Sequence, residues 1–204
     1  LKPLAEVVDF ISIHTYPVWE YKHIHEALEY TKENYYAVAN LYPDKATVIT
    51  EAGWTTNSNG RGIDAERVNE EMQKICYDDL MEWVTAERIV TFVFEAFDEP
   101  WKSDGTAGSE GHFGLITVDG RAKYALWDLV DAGAFAGLSR GGRPIEKTHD
   151  GVESVLLDNL ARPVHLKFQL GDILANYFAV AIDGLGLCGH TRRPPKYSRN
   201  RSAS

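Results

Sequence analysis

Three short apolar runs, each closing on a cluster of polar and aromatic residues and each separated by a helical stripe, restrict this chain more than any other feature. Val7 to Ile13 (VVDFISI) closes on His14-Thr15-Tyr16-Pro17, Ala46 to Thr50 on Glu51-Ala52-Gly53-Trp54, and Ile89 to Phe97 on Asp98-Glu99-Pro100-Trp101-Lys102. Runs of this length, dense in β-branched and aromatic residues, predict strands. Between the first two, Tyr21, Ile24, Leu28, Thr31, Tyr35 and Val38 recur at steps of three and four, one face of a helix that Pro43-Asp44 ends. Between the second and third, Val68, Met72, Ile75, Cys76, Leu80 and Trp83 form another such stripe, with Asp64 as its expected N-cap. A glycine-rich loop (Lys102 to Gly114) and a last short helix from about Lys123 to Asp131 follow. Strand, helix, strand, helix, strand is the order of a parallel α/β sheet.

In parallel βα units the C-terminal strand ends gather on one face, where barrel enzymes keep their chemistry. His14, Tyr16 and Trp19, then Glu51 and Trp54, then Asp98, Glu99, Trp101 and Lys102 are therefore expected on one rim. The flat apolar faces of tryptophans suit the C–H faces of a sugar ring, and a carboxylate delivered beside them suits glycosyl chemistry. The formal net charge of −9 excludes a molecule that as a whole seeks nucleic acid or anionic lipid and fits a neutral ligand. The two cysteines, Cys76 and Cys188, lie at no metal-ligand spacing, so neither a disulfide framework nor a zinc site is indicated. The compartment stays open. No apolar run approaches the ~20 residues a membrane span requires. The chain starts at Leu1, without a leader pattern, and is read as a piece of something longer.

Val48-Ile49-Thr50-Glu51-Ala52-Gly53-Trp54 resembles the nucleophile signature of glycoside hydrolase family seventeen, the 1,3-β-glucanases and related transglucosylases. His14 to Pro17, Phe94 to Lys102, and Gly111 to Leu115 with Asp119 to Tyr124 resemble the neighbouring strand ends of that family, in the right order. The resemblance implies a (β/α)8 TIM-type barrel, a retaining mechanism and no metal or organic cofactor. It makes Glu51 the nucleophile and Tyr16, Glu99 and Lys102 sugar contacts; Trp54 and Trp101 are candidate sugar platforms. His14 stands where plant members carry Asn, and Thr55 replaces a common proline.

A retaining mechanism needs a second carboxyl roughly 5–5.5 Å from the nucleophile. In the family this acid follows an Asn on an earlier strand, and only six residues precede Val7. The pair Asn69-Glu70 sits on the helical stripe after Glu51, the wrong element. Glu95 or Glu99 would approach the sugar from the nucleophile's side, and Lys102 holds Glu99 ionised. A full barrel takes ~250 residues, so the expected fold is a partial barrel, about strands six to eight, over residues 1–150. The N-terminal half would belong to the full-length protein, which the resemblance allows to be extracellular, periplasmic or membrane-associated.

The resulting expectation is a hydrolase or transglucosylase of 1,3-linked β-glucan, inactive as an isolated chain. The alternative is a carbohydrate-binding or inert barrel fragment. An esterase is disfavoured by the absence of a Gly-x-Ser-x-Gly elbow. Trp83 and Trp127 read as core, Glu95 as a hydrogen-bonded wall acid, and His23, His25 and Glu26 as solvated surface. Residues 151–204 are expected to be an unassigned, irregular and partly disordered tail: a short helix over about 150–161, an apolar run at Ile173 to Ile182, and five Lys or Arg without an acid from Gly184 on.

Overall fold

The computed structural model describes residues 2–60, 63–103 and 108–161. A short helix α1 (Lys2–Ala5) precedes strand β1 (Phe10–Thr15), helix α2 (Ala27–Ala39), strand β2 (Ala46–Ala52), helix α3 (Glu70–Glu87) and strand β3 (Thr91–Val93). The three strands form one parallel sheet in the order β1-β2-β3. This is the α/β alternation that the apolar runs predict.

The boundaries differ for local reasons. Val7 lies outside β1 and is 79% exposed, because its N–H closes the last turn of α1 on the Leu4 carbonyl. The strand instead runs on through His14 and Thr15. Tyr21 does not belong to the helical stripe: it is exposed with φ 56, and a 3-10 turn (Ile24–Glu26) leads into α2. Asp64 opens a separate 3-10 turn, and α3 is capped by Asn69, whose side chain accepts from the Met72 N–H at 2.8 Å. The third apolar run is regular only over Thr91–Val93, yet its pairing continues. The Phe94 N–H donates to the Ala52 carbonyl, and Glu95 through Asp98 exchange hydrogen bonds with 113–116.

Helices cover one face of the sheet. Ile49 and Ala52 pack with Leu80, Trp83 and Val84, against Ile13, Leu28 and Val93. On the opposite face Phe10 and Phe92 are more than half exposed, whereas parallel sheets are usually covered on both.

After β3 come β4 (Arg121–Ala122), α4 (Trp127–Asp131), the hairpin β5 (Ser139–Arg140) and β6 (Arg143–Pro144), β7 (Glu146–Lys147) and α5 (Glu153–Ala161). Glu70, in the first turn of α3, ties this segment down: its carboxylate accepts from the Tyr124 N–H at 2.9 Å and the Thr148 hydroxyl at 2.8 Å, and pairs with His149 at 3.3 Å. Trp83 and Trp127 are core, as expected. No described helix is long and apolar enough to cross a membrane. The apolar run at 173–182 and the basic residues from 192 on lie outside the described residues.

Candidate active site

A bulge in β2 sets the position of the candidate nucleophile. Ile13 pairs with Ile49, but the next residue, His14, pairs with Glu51, so Thr50 is the extra residue. In an unbroken strand, positions 49 and 52 would face opposite sides. Here both Ile49 and Ala52 enter the helix-covered core. The extra residue absorbs the odd step and sets Glu51 level with His14 at the strand end.

Two side chains converge on one oxygen of Glu51. The Tyr16 hydroxyl donates to Oε2 at 2.6 Å, and His14 Nδ1 lies 3.2 Å from the same atom. Oε1 has no hydrogen-bond partner among the described residues, and the side chain is about one third exposed. Burial, and then the hydrogen bond to the Glu51 carboxylate, push the Tyr16 hydroxyl well above the ordinary tyrosine range. Tyr16 therefore stays protonated and remains a donor.

Beyond β3 a second cluster forms around Lys102, in a 3-10 turn (Pro100–Lys102). Its ammonium donates to Glu95 Oε2 at 2.8 Å and pairs closely with Glu99. It also lies 4.6 Å from the centroid of the Phe94 ring and 5.3 Å from that of Trp101. Phe94 joins the two clusters, because Tyr16 packs edge-on against it with centroids 5.7 Å apart. Burial lifts the Glu95 carboxyl to about 7, with Lys102 pulling against it and Glu99 adding to it. The hydrogen bond from Lys102 holds exposed Glu99 below its ordinary value.

Beneath this cluster is a buried ion pair. Lys123 Nζ donates to Asp98 Oδ1 at 2.7 Å and to the Thr56 hydroxyl at 2.8 Å, and both charged side chains are more than nine-tenths buried. Burial raises the Asp98 carboxyl against the pull of Lys123, and lowers the Lys123 ammonium against the pull of Asp98. Two glycines permit the close approach of these segments: a Cβ at Gly53 would fall on the Phe94 carbonyl oxygen, and one at Gly114 on the Asp98 N–H.

Comparison with known proteins fits a site of this composition. Residues 2–114 match the BtgE/BtgC glycoside hydrolase domain. The chain belongs to that family. Among solved structures, an endo-laminarinase from Formosa Hel1_33_131 is 36% identical, superposes with a TM-score of 0.71, and aligns over 77% of this chain and 48% of its own. A glycoside hydrolase family 17 β-1,3-glucanosyltransferase from Rhizomucor miehei gives 25% identity and a TM-score of 0.54 over 60% of this chain and 44% of its own. A glucan 1,3-β-glucosidase of Arthroderma benhamiae is 28% identical over 129 residues, 57% of this chain and 42% of that protein. The chain thus spans less than half the length of each of these relatives.

Within this glycoside hydrolase domain the sequence-derived residues divide. His14, Tyr16 and Glu51 share one oxygen, and Glu99 and Lys102 form the neighbouring cluster. Trp101 is 75% exposed, with the Lys102 ammonium over its ring. Trp54 is a correction. It is 2% exposed, packed with Val18, Ile63 and Phe113, and its indole N–H donates to the Arg67 carbonyl at 3.1 Å. Directly after Gly53 the indole packs into the core and presents no face at the surface. Trp19 is partly buried against Phe113.

Phe94 and Lys123 were not legible as site components, because a phenylalanine in an apolar run reads as core and a lone lysine reads as surface. Buried Gln73, whose amide nitrogen donates to the Trp54, Phe113 and Gly114 carbonyls, carries no signal of this role in the apolar stripe of α3. The glycine-rich loop had one usable signal, the Ser109-Glu110-Gly111-His112-Phe113-Gly114 segment that brings the His112 carbonyl to Lys123 at 3.3 Å.

Proposed function

We propose that this chain is the nucleophile-bearing part of a family-seventeen glycoside hydrolase or transglucosylase acting on 1,3-linked β-glucan with retention. Residues 1–150 are taken as the C-terminal part of a (β/α)8 barrel, about strands six to eight. Of 151–204, α5 docks back on that part and the remainder is unassigned.

The observation that carries the reading is the asymmetry of Glu51. Tyr16 and His14 hold Oε2, which fixes the carboxylate plane, and Oε1 is left for the anomeric carbon. In the first step Oε1 forms a bond to that carbon as the bond to the leaving oxygen breaks, giving a glycosyl-enzyme; water or a second sugar then takes the glycosyl group. His14, Tyr16, Glu99 and Lys102 supply hydrogen bonds to hydroxyls of the sugar beside the bond, and Trp101 stacks on a neighbouring unit. The likeness to an endo-laminarinase and to a β-1,3-glucanosyltransferase supports β-1,3-glucan as the substrate class. None of these roles calls for a metal or an organic cofactor.

The general acid is expected from outside this chain, on the N-terminal half of the barrel. Glu95 and Glu99 are poor substitutes because both are committed to Lys102. The same observation favours a second reading for the isolated chain, glucan binding without turnover.

An activated 2-deoxy-2-fluoro laminaribioside separates the two, because its dinitrophenolate leaves without a proton and needs no acid. Mass spectrometry is expected to find one glycosyl adduct on the peptide carrying Glu51, and none in Glu51→Gln. Laminarin binding without an adduct would leave the binding reading standing and remove Glu51 as nucleophile.

A further inference from the structure

Lys102 is a rim ammonium over the partly buried Phe94 ring and beside exposed Trp101. A lysine so placed is a point charge well suited to capture a carboxylate or sulfate on a sugar. Here, however, two of its three donors are taken, one by Glu95 and one by Glu99. The buried cation beneath it, Lys123, is matched by Asp98. With Glu51 counted, the rim carries more carboxylates than ammonium groups.

We infer that Glu95 is a specificity-determining residue: it holds and neutralises the Lys102 ammonium, so that the site takes uncharged glucosyl units and turns away carboxylated or sulfated ones. The inference rests on the glucan reading above and narrows its substrate class.

Three observations single out Glu95 rather than Glu99. Its side chain is 14% exposed against 31% for Glu99, so it holds Lys102 from beneath and is shielded from solvent. Its Oε1 is buried with no hydrogen-bond partner, an arrangement that costs free energy. Its ionised form is disfavoured by burial, so a residue serving only as a prop would do as well as an amide. The charged and titratable groups around it are Lys102 and Glu99 from the 3-10 turn, Tyr16 from β1, and Lys123 from the segment after β4. Lys102 pulls its proton off, Glu99 retains it, and Tyr16 stays neutral.

The test titrates the full chain with laminaritetraose and with the same oligosaccharide oxidised at one C6 to a glucuronosyl unit, by calorimetry at low salt near pH 8. The unsubstituted chain is expected to prefer the neutral sugar by about tenfold or more. Glu95→Gln, which keeps shape and acceptor but not charge, is expected to narrow that ratio about fivefold. Near pH 6, where Glu95 is largely protonated, the unsubstituted chain narrows in the same direction and the variant does not move.

A ratio unchanged by Glu95→Gln overturns the inference while leaving glucan binding intact. Should that variant fail to fold, the unsubstituted chain decides alone, and an equal ratio near pH 6 and pH 8 overturns the inference. Absence of laminaritetraose binding to the unsubstituted chain overturns the glucan reading, and this inference with it.

Discussion

At the ends of β1 and β2, Tyr16 and His14 meet one oxygen of Glu51 and leave the other without a partner among the described residues; beyond β3, Glu95 and Glu99 share a single lysine. The difference lies in what each carboxylate has left. A phenol hydrogen bond orients a carboxylate without cancelling its charge, so Glu51 retains a free oxygen, the one that the proposed attack uses. An ion pair orients and cancels at once, so Glu95 and Glu99 are held where they can hydrogen-bond a hydroxyl but are not free to transfer a proton. The backbone differs in parallel. The Glu51 group hangs on hydrogen-bonded strands, whereas the Lys102 group hangs on a 3-10 turn beyond a three-residue strand.

Removing Glu51 should break the contrast outright. Glu51→Gln keeps the bond from Tyr16 and is expected to drop covalent labelling by the fluoro-glycoside to background, read by intact mass. Next comes the buried pair beneath the second cluster. Lys123→Met strands Asp98 without its partner and is expected to cost about 3–5 kcal/mol in urea unfolding.

Tyr16→Phe sharpens the first half of the comparison. It takes the phenol from Oε2 and leaves His14, and loss of a hydrogen bond to a charged group worth roughly 1.5–3 kcal/mol predicts labelling slower by about 10- to 100-fold. The smallest effect concerns pH. Glu95 sits at about 7 in the folded chain against an ordinary 4.5. Between those values the folded state binds the extra proton, so this stabilisation is complete below about 4.5 and is lost as pH rises through about 7. Unfolding free energy of the unsubstituted chain relative to Glu95→Gln should fall on the order of 1 kcal/mol across that window. A flat difference would remove the raised Glu95 value.

Much of this was legible from the apolar runs. Each run ended where polar groups collected, because the C-terminal ends of parallel strands converge on one face. Trp54 shows where that reasoning stops. It lies three residues past Glu51, and nothing in the spacing distinguishes an indole that lines a rim from one that a glycine turn folds back into the core. The N-cap was misplaced for a similar reason: Asp64 and Asn69 are both good caps, and only the start of continuous helical packing on the sheet selects Asn69.

What the sequence determined by itself was the parallel α/β order, the helix stripes and a carboxylate at the end of the middle strand, since these follow from the period of apolar residues and need no partner distant in the chain. What only the tertiary structure decided was the register. The bulge at Thr50 that sets Glu51 opposite His14, the pairing of 113–116 with the end of the third run, and the meeting of Lys123 with Asp98 are contacts between residues far apart in sequence. Such contacts are settled by which packing buries Ile49 and Ala52 together, and no local pattern records that choice.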